Sequence, residues 1–120
     1  MKKIFALYVL CTSLFFSTAQ SVVIPNVWIN EIHYDDLGVD GNEGFEVAGT
    51  AGTNLNCFEV WLYTGLTPTN ALSYDTITLN GTLPVQYCGI GTAWFGLPVD
   101  GIQNGPNDGL ALVYAPQHSG

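Results

Sequence analysis

The sequence predicts an all-β fold, two short-stranded sheets packed face to face, on three observations. All 14 Gly and all 6 Pro fall after residue 19, spaced through the rest of the chain, which leaves little room for long helices. No apolar stripe recurs at the helical period of 3.6 residues. Short β-branched and aromatic runs recur instead between turn residues, the pattern of a sandwich or barrel.

The elements follow in order. Residues 26–34 are the first predicted strand; plain alternation puts Trp28, Ile32 and Tyr34 on one face and Val27, Ile29 and His33 on the other. The acidic stretch 35–43, with Gly38 and Gly41, reads as a loop. Residues 44–48 form a second strand, with Phe45 and Val47 facing one way and Glu46 the other. After a turn over 49–56, residues 57–63 are the strongest strand, in which Phe58, Val60 and Leu62 alternate with Glu59, Trp61 and Tyr63. Residues 65–70 read as a loop, and 74–79 as a strand that ends at the Asn80-Gly81 turn. Residues 91–95 and 109–115 complete the set, separated by DGIQNGPNDG, which is nearly all turn chemistry. Six strands with both faces partly apolar need two sheets, each burying one face against the other.

The first 19 residues have the parts of a secretory leader. Lys2 and Lys3 form a basic start, an apolar run follows to Phe16, and Ser17 and Ala19 are small residues placed for cleavage after Ala19. The run is shorter than the ~20 apolar residues that span a bilayer. The expectation is therefore an exported domain over residues 20–120.

Those two lysines are the only basic residues in the chain, so the formal charge falls from −8 to −10 when they leave. Nucleic-acid binding relies on cationic side chains that neutralise phosphates. Ten carboxylates with no Lys or Arg exclude DNA and RNA as direct partners, and an anionic membrane surface with them. Export would also leave Cys57 and Cys88 as an even pair in an oxidising compartment, which suggests a disulfide. Closing that ~30-residue loop would contribute about 3–4 kcal/mol; two free thiols are the alternative.

Four segments then carry a resemblance: INEIHYDD (29–36), GNEGFEVAGTAGTNL (41–55), VWLYTG (60–65) and GIQNGPNDGLALV (101–113). In order, over nearly all of residues 27–114, they resemble a bacterial, exported branch of the lamin tail domain family. Asn30-Glu31-Ile32, the strand carrying Glu46 and the loop ending in Asn54-Leu55 fall where the family pattern places them. The resemblance implies an immunoglobulin-like antiparallel β-sandwich. In exported bacterial proteins such domains look like accessories to nucleases, other hydrolases or adhesive modules. The chain departs from the pattern in having Cys57-Phe58 where many members have Gly-Trp. It also ends directly after an apolar strand, so the expectation is a sandwich lacking its last strand or strands. The nuclear role of eukaryotic lamin tails does not transfer to an exported chain, and fold alone does not assign function.

Several residues are candidates for chemistry. Asp35, Asp36, Asp40, Asn42 and Glu43 offer hard oxygen ligands within nine residues, the donor type that Ca²⁺ prefers. Their spacing is not that of an EF-hand, and a solvated turn explains the same residues. His33 stands beside Asp35 and Asp36, with His118 as the other imidazole, but no nucleophile–base pair accompanies it. GxSxG, HExxH and Walker patterns are absent. Glu31 and Glu46 interrupt apolar strands, which fits bonding to loop amides or a shared ligand-binding role. Trp28, Trp61 and Trp94 serve either the core or a stacking platform for sugar rings. Asn80-Gly81-Thr82 is a glycosylation sequon where the source supports that modification.

The function these readings predict is a non-catalytic, exported binding or accessory module, acting in protein-level recognition or surface attachment. Its partner would be a protein or a surface glycan. The alternatives are an N-terminal accessory domain of a longer extracellular hydrolase and a calcium-stabilised spacer.

Overall fold

The computed structural model describes residues 24–37, 41–67 and 69–116. The expected leader (residues 1–19), Asp40 and His118 lie outside the described residues. Six strands form: β1 (Val27–His33), β2 (Gly44–Thr50), β3 (Phe58–Thr67), β4 (Asn70–Thr78), β5 (Ile90–Gly96) and β6 (Gly109–Tyr114). They make two three-stranded sheets, ordered β1-β2-β5 and β4-β3-β6, with every pairing antiparallel. The chain crosses between sheets after β2, after β4 and after β5. Pairing β2 with β5 and β3 with β6 is the connectivity of an immunoglobulin-like sandwich. Both sheets are open, with β6 an edge strand of the second.

The core is built by alternation. Phe45 and Val47 of β2 and Phe58, Val60 and Leu62 of β3 are fully buried, joined by Leu55, Leu79 and Leu83 from the connections. Each such side chain contributes about 1.5–3 kcal/mol by leaving water. Phe45 stacks on Phe95 of β5, with ring centroids 5.5 Å apart. Phe58 meets Tyr114 of β6 at 5.2 Å.

Two features of the strands depart from the sequence expectation. Residues 65–70 are no open loop: β3 and β4 continue as one long hairpin that closes at Thr67 and Asn70, with register shifts at Leu62/Tyr63 and Gly65/Thr67. Register irregularities of this kind let a hairpin twist without losing its pairing. The second departure is a bulge in β1. Ile29 pairs with Val47, but Glu31 pairs with Glu46, so Asn30 is the extra residue. The bulge reverses the faces beyond it. Ile32 pairs with buried Phe45 and thus shares the inner face with Val27 and Ile29, while His33 pairs with Gly44 and shares the outer face with Trp28.

The disulfide expected between Cys57 and Cys88 is not formed; both thiols are free. Cys57 stands half-buried ahead of β3 in one sheet, its carbonyl accepting the Ala115 N–H at 2.7 Å. Cys88 is exposed in the turn that leads into β5 of the other sheet, at φ 50°.

The crossover from β5 to β6 is held by carboxylates instead of salt bridges. Glu43, 2% exposed, accepts the Asp100 N–H at 2.7 Å on one oxygen and the Ile102 N–H at 2.8 Å on the other. Asp108 accepts from the Gly65 N–H at 2.9 Å and the Gly105 N–H at 2.8 Å. The Tyr74 hydroxyl accepts the Gln103 N–H at 2.9 Å. With no Lys or Arg after residue 3, backbone amides are the donors that satisfy these buried or half-buried acids.

Candidate functional site

The outer face of the β1-β2-β5 sheet gathers Trp28, Glu31, His33, Glu46 and Trp94. Its rows follow from the register. Trp28, Ala48 and Thr92 form one row, Glu31, Glu46 and Trp94 the next, and His33, Gly44 and Gly96 the third. Neighbouring strands stand ~4.8 Å apart, so Trp28 and Trp94 lie about 12 Å apart at their Cα atoms. Trp28 is 37% exposed and Trp94 44%.

Trp94 has a particular seat. A Cβ built on Gly44 would lie 2.7 Å from its Cζ2 and 3.0 Å from its Cε2, and one on Gly96 would lie 3.5 Å from its Nε1. The indole therefore lies across two glycines, with ring surface exposed to solvent. A Cβ at Gly44 would also collide with the Phe95 carbonyl oxygen, so close packing excludes a side chain there.

Beside the indole stand two carboxylates. Glu31 and Glu46 are directly paired across strands, an arrangement that like charges disfavour. Asn30 Nδ2 donates to Glu46 Oε1 at 2.7 Å, which pins the bulge and neutralises nothing. The sequence expectation that Glu31 and Glu46 bond to loop amides fits Glu43 instead, the acid whose two oxygens hold the β5–β6 crossover.

His33, on the third row, closes the neighbouring loop. Its Nδ1 lies 3.1 Å from the Asn42 carbonyl oxygen and its Nε2 lies 3.1 Å from Asp36 Oδ1. Both partners accept, so both contacts are hydrogen bonds only when the ring carries two protons. The Asn42 carbonyl first, then Asp36, with Glu31 adding its charge, raises the His33 pKa above 6.5. The sign follows from linkage. A folded pKa above the unfolded one stabilises the fold fully below pH 6.5, and that contribution is lost as pH rises through the folded midpoint. The imidazole should therefore titrate with an NMR midpoint above 6.5, and Asp36→Asn should lower it. A wild-type midpoint at or below 6.5 would contradict the double hydrogen bond.

The five calcium candidates are placed differently from one another. Asp35 is exposed. Asp36 is engaged by His33 and by the Gly41 N–H at 3.2 Å. Asn42 turns its carbonyl to His33 at φ 57°. Glu43 points into the molecule, and Asp40 is outside the described residues. Among the described residues no three His, Cys, Asp or Glu side chains are grouped to hold a metal ion.

The three tryptophans separate. Trp61 lies on the outer face of the other sheet, where its Nε1 donates to Glu59 Oε2 at 2.8 Å and its ring tilts against Tyr63 at 6.4 Å. Two clefts open along the 100–108 crossover. One, of about 270 Å³, is lined by Ile32, Tyr34, Ile102 and Leu110; the other, of about 510 Å³, by Thr64, Asp100, Gln103 and Asp108. The Asp108 carboxylate already holds two amides, and neither cleft is lined by His33.

Sequence reasoning missed the joining of Trp28 and His33 on one face. The available signal was Asn30-Glu31, two successive polar residues inside an alternating run, which is how an inserted bulge residue reads. No family model matches the chain, and no curated protein or solved structure matches it either.

Proposed function

We propose that this chain is an exported, non-catalytic binding module that supplies protein-level recognition, with the outer face of the β1-β2-β5 sheet as its contact surface. One observation carries the reading: Trp28 and Trp94 stand exposed on the same sheet face, with Asn30, Glu31 and Glu46 between them. Aromatic anchors surrounded by hydrogen-bonding groups are the usual composition of a contact centre. The arrangement offers groups that hold a ligand. Among the described residues it brings no activated nucleophile to them, and the His33 imidazole is engaged on both nitrogens. The leader pattern supports export, and the lamin-tail resemblance supports an accessory role.

A random-peptide phage selection on the immobilised chain tests the proposal, with Trp28→Ala/Trp94→Ala as the counter-target. The double variant should unfold as cooperatively as the parent, because neither ring belongs to the core cluster. The expected result is a peptide consensus whose affinity falls at least tenfold when the two indoles are removed, a loss of about 1.4 kcal/mol or more. Equal recovery on both chains would contradict the reading.

A further inference from the structure

We infer that this face binds a cationic side chain, an Arg or Lys of a basic protein segment, with the charged group over the exposed ring of Trp94 and against the carboxylates of Glu46 and Glu31. The inference rests on the recognition reading above and names the chemistry of its partner. Three observations lead to it.

The first is the ring. Trp94 lies along the sheet over Gly44 and Gly96, so the surface it exposes includes ring face. That face carries the negative lobe of the aromatic quadrupole, and Trp is the strongest side-chain partner for a cation. The planar guanidinium of Arg also stacks well on it.

The second is local charge. Glu46 is paired to Trp94 on one side and to Glu31 on the other. Two acids held opposite each other destabilise the free sheet, and the chain has no Lys or Arg after residue 3 to relieve them. His33, one row along, already directs its two nitrogens to Asn42 and Asp36. A protonated His33 compensates Glu31 in part, and the fuller compensation of Glu46 falls to a cation from another molecule.

The third is charge over the whole domain. Ten carboxylates face no Lys or Arg beyond the leader, which attracts a basic partner and repels a second copy of the same chain. A neutral sugar could stack on the indole and donate hydroxyls to the acids, but it would leave their charge uncompensated. Spacing adds a detail. Trp28 lies about 12 Å from Trp94 and an extended peptide advances ~3.3 Å per residue, so basic residues at positions i and i+4 would reach both rings.

The probe is Ac-Arg-Gly-Ser-Gly-Arg-amide, titrated calorimetrically into the full chain, with the same peptide carrying neutral citrulline in place of arginine as control. The expected result is saturable binding that weakens at least tenfold in Trp94→Ala, in Glu31→Gln/Glu46→Gln, and with citrulline, and that weakens as salt rises. Asp75→Asn, on the other sheet, should leave it unchanged. The Glu31→Gln/Glu46→Gln chain should also melt higher than the parent, a shift that a purely structural role for these acids would reverse. Equal binding of the citrulline peptide, or equal affinity after Glu31→Gln/Glu46→Gln, would overturn the inference, and so would the absence of binding at millimolar arginine peptide. A tryptophan-dependent phage consensus without Arg or Lys would overturn it too, while leaving the recognition reading in place.

Discussion

Glu43→Ala should destabilise the fold by about 3–5 kcal/mol. The carboxylate is 2% exposed and holds the Asp100 and Ile102 amides at 2.7 and 2.8 Å. A hydrogen bond to a charged acceptor contributes about 1.5–3 kcal/mol, and truncation leaves both donors without the acceptor they face. Ile102 is itself 4% exposed, so water reaches its amide poorly. The Glu43 backbone adds a third tie by accepting the Leu97 N–H at 2.8 Å, and the substitution leaves that bond intact. Glu43→Gln keeps one acceptor oxygen but turns an NH₂ group toward the second amide, so about 1–3 kcal/mol should be lost. Equilibrium urea unfolding measures both. A loss below ~1 kcal/mol for the alanine variant would mean that the crossover finds other acceptors.

Phe45→Ala should cost a similar amount, about 3–5 kcal/mol, for an unrelated reason. Phe45 is 0% exposed, stacks on Phe95 at 5.5 Å with planes 19° apart, and faces Ile32 across the bulged strand. Truncation removes the ring's transfer free energy and leaves a cavity that two sheets at fixed spacing cannot close. A domain of this size has about 5–15 kcal/mol in total, so the variant should lose a large share of its stability. The check is a lower denaturant midpoint at unchanged m-value. An unchanged midpoint would place Phe45 outside the core.

These two residues also mark where the sequence was readable and where it was not. Phe45 was legible because Phe45 and Val47 alternate with Glu46 between turn signals, and a period of two identifies a half-buried strand without further context. The same logic put Phe58, Val60 and Leu62 on one face of their strand, and six strands form, although β3 and β4 reach Thr67 and Asn70, into the stretch that punctuation marked as a loop. Glu43 was not legible. It stands in an acidic, glycine-containing stretch that reads as a solvated loop or a ligand set. Its burial depends on amides 57 and 59 residues away, and no local pattern encodes such a contact.

The candidate surface was half legible. Strand-borne tryptophans and acids stood out, but whether the tryptophans served the core or the surface was open, and Trp61 looks like Trp28 and Trp94 in sequence yet belongs to the opposite sheet. Strict alternation put His33 on the face away from Trp28; the bulge at Asn30 reversed that by inserting one residue against Glu46. A one-residue irregularity exchanges the two faces of a strand, so the composition of the surface depended on a feature that periodicity averages away. The cysteines show the same limit. Parity and compartment suggested a bond that the placement of Cys57 and Cys88 does not form.

The most direct test of the recognition surface is a two-dimensional ¹⁵N NMR titration of the chain with the bis-arginine peptide, following the three indole N–H signals assigned by substitution. The account predicts that the Trp28 and Trp94 signals shift together and saturably. The Trp61 signal, held by Glu59 on the far sheet, should stay in place. Movement of Trp61 alone, or of all three indoles alike, would contradict it.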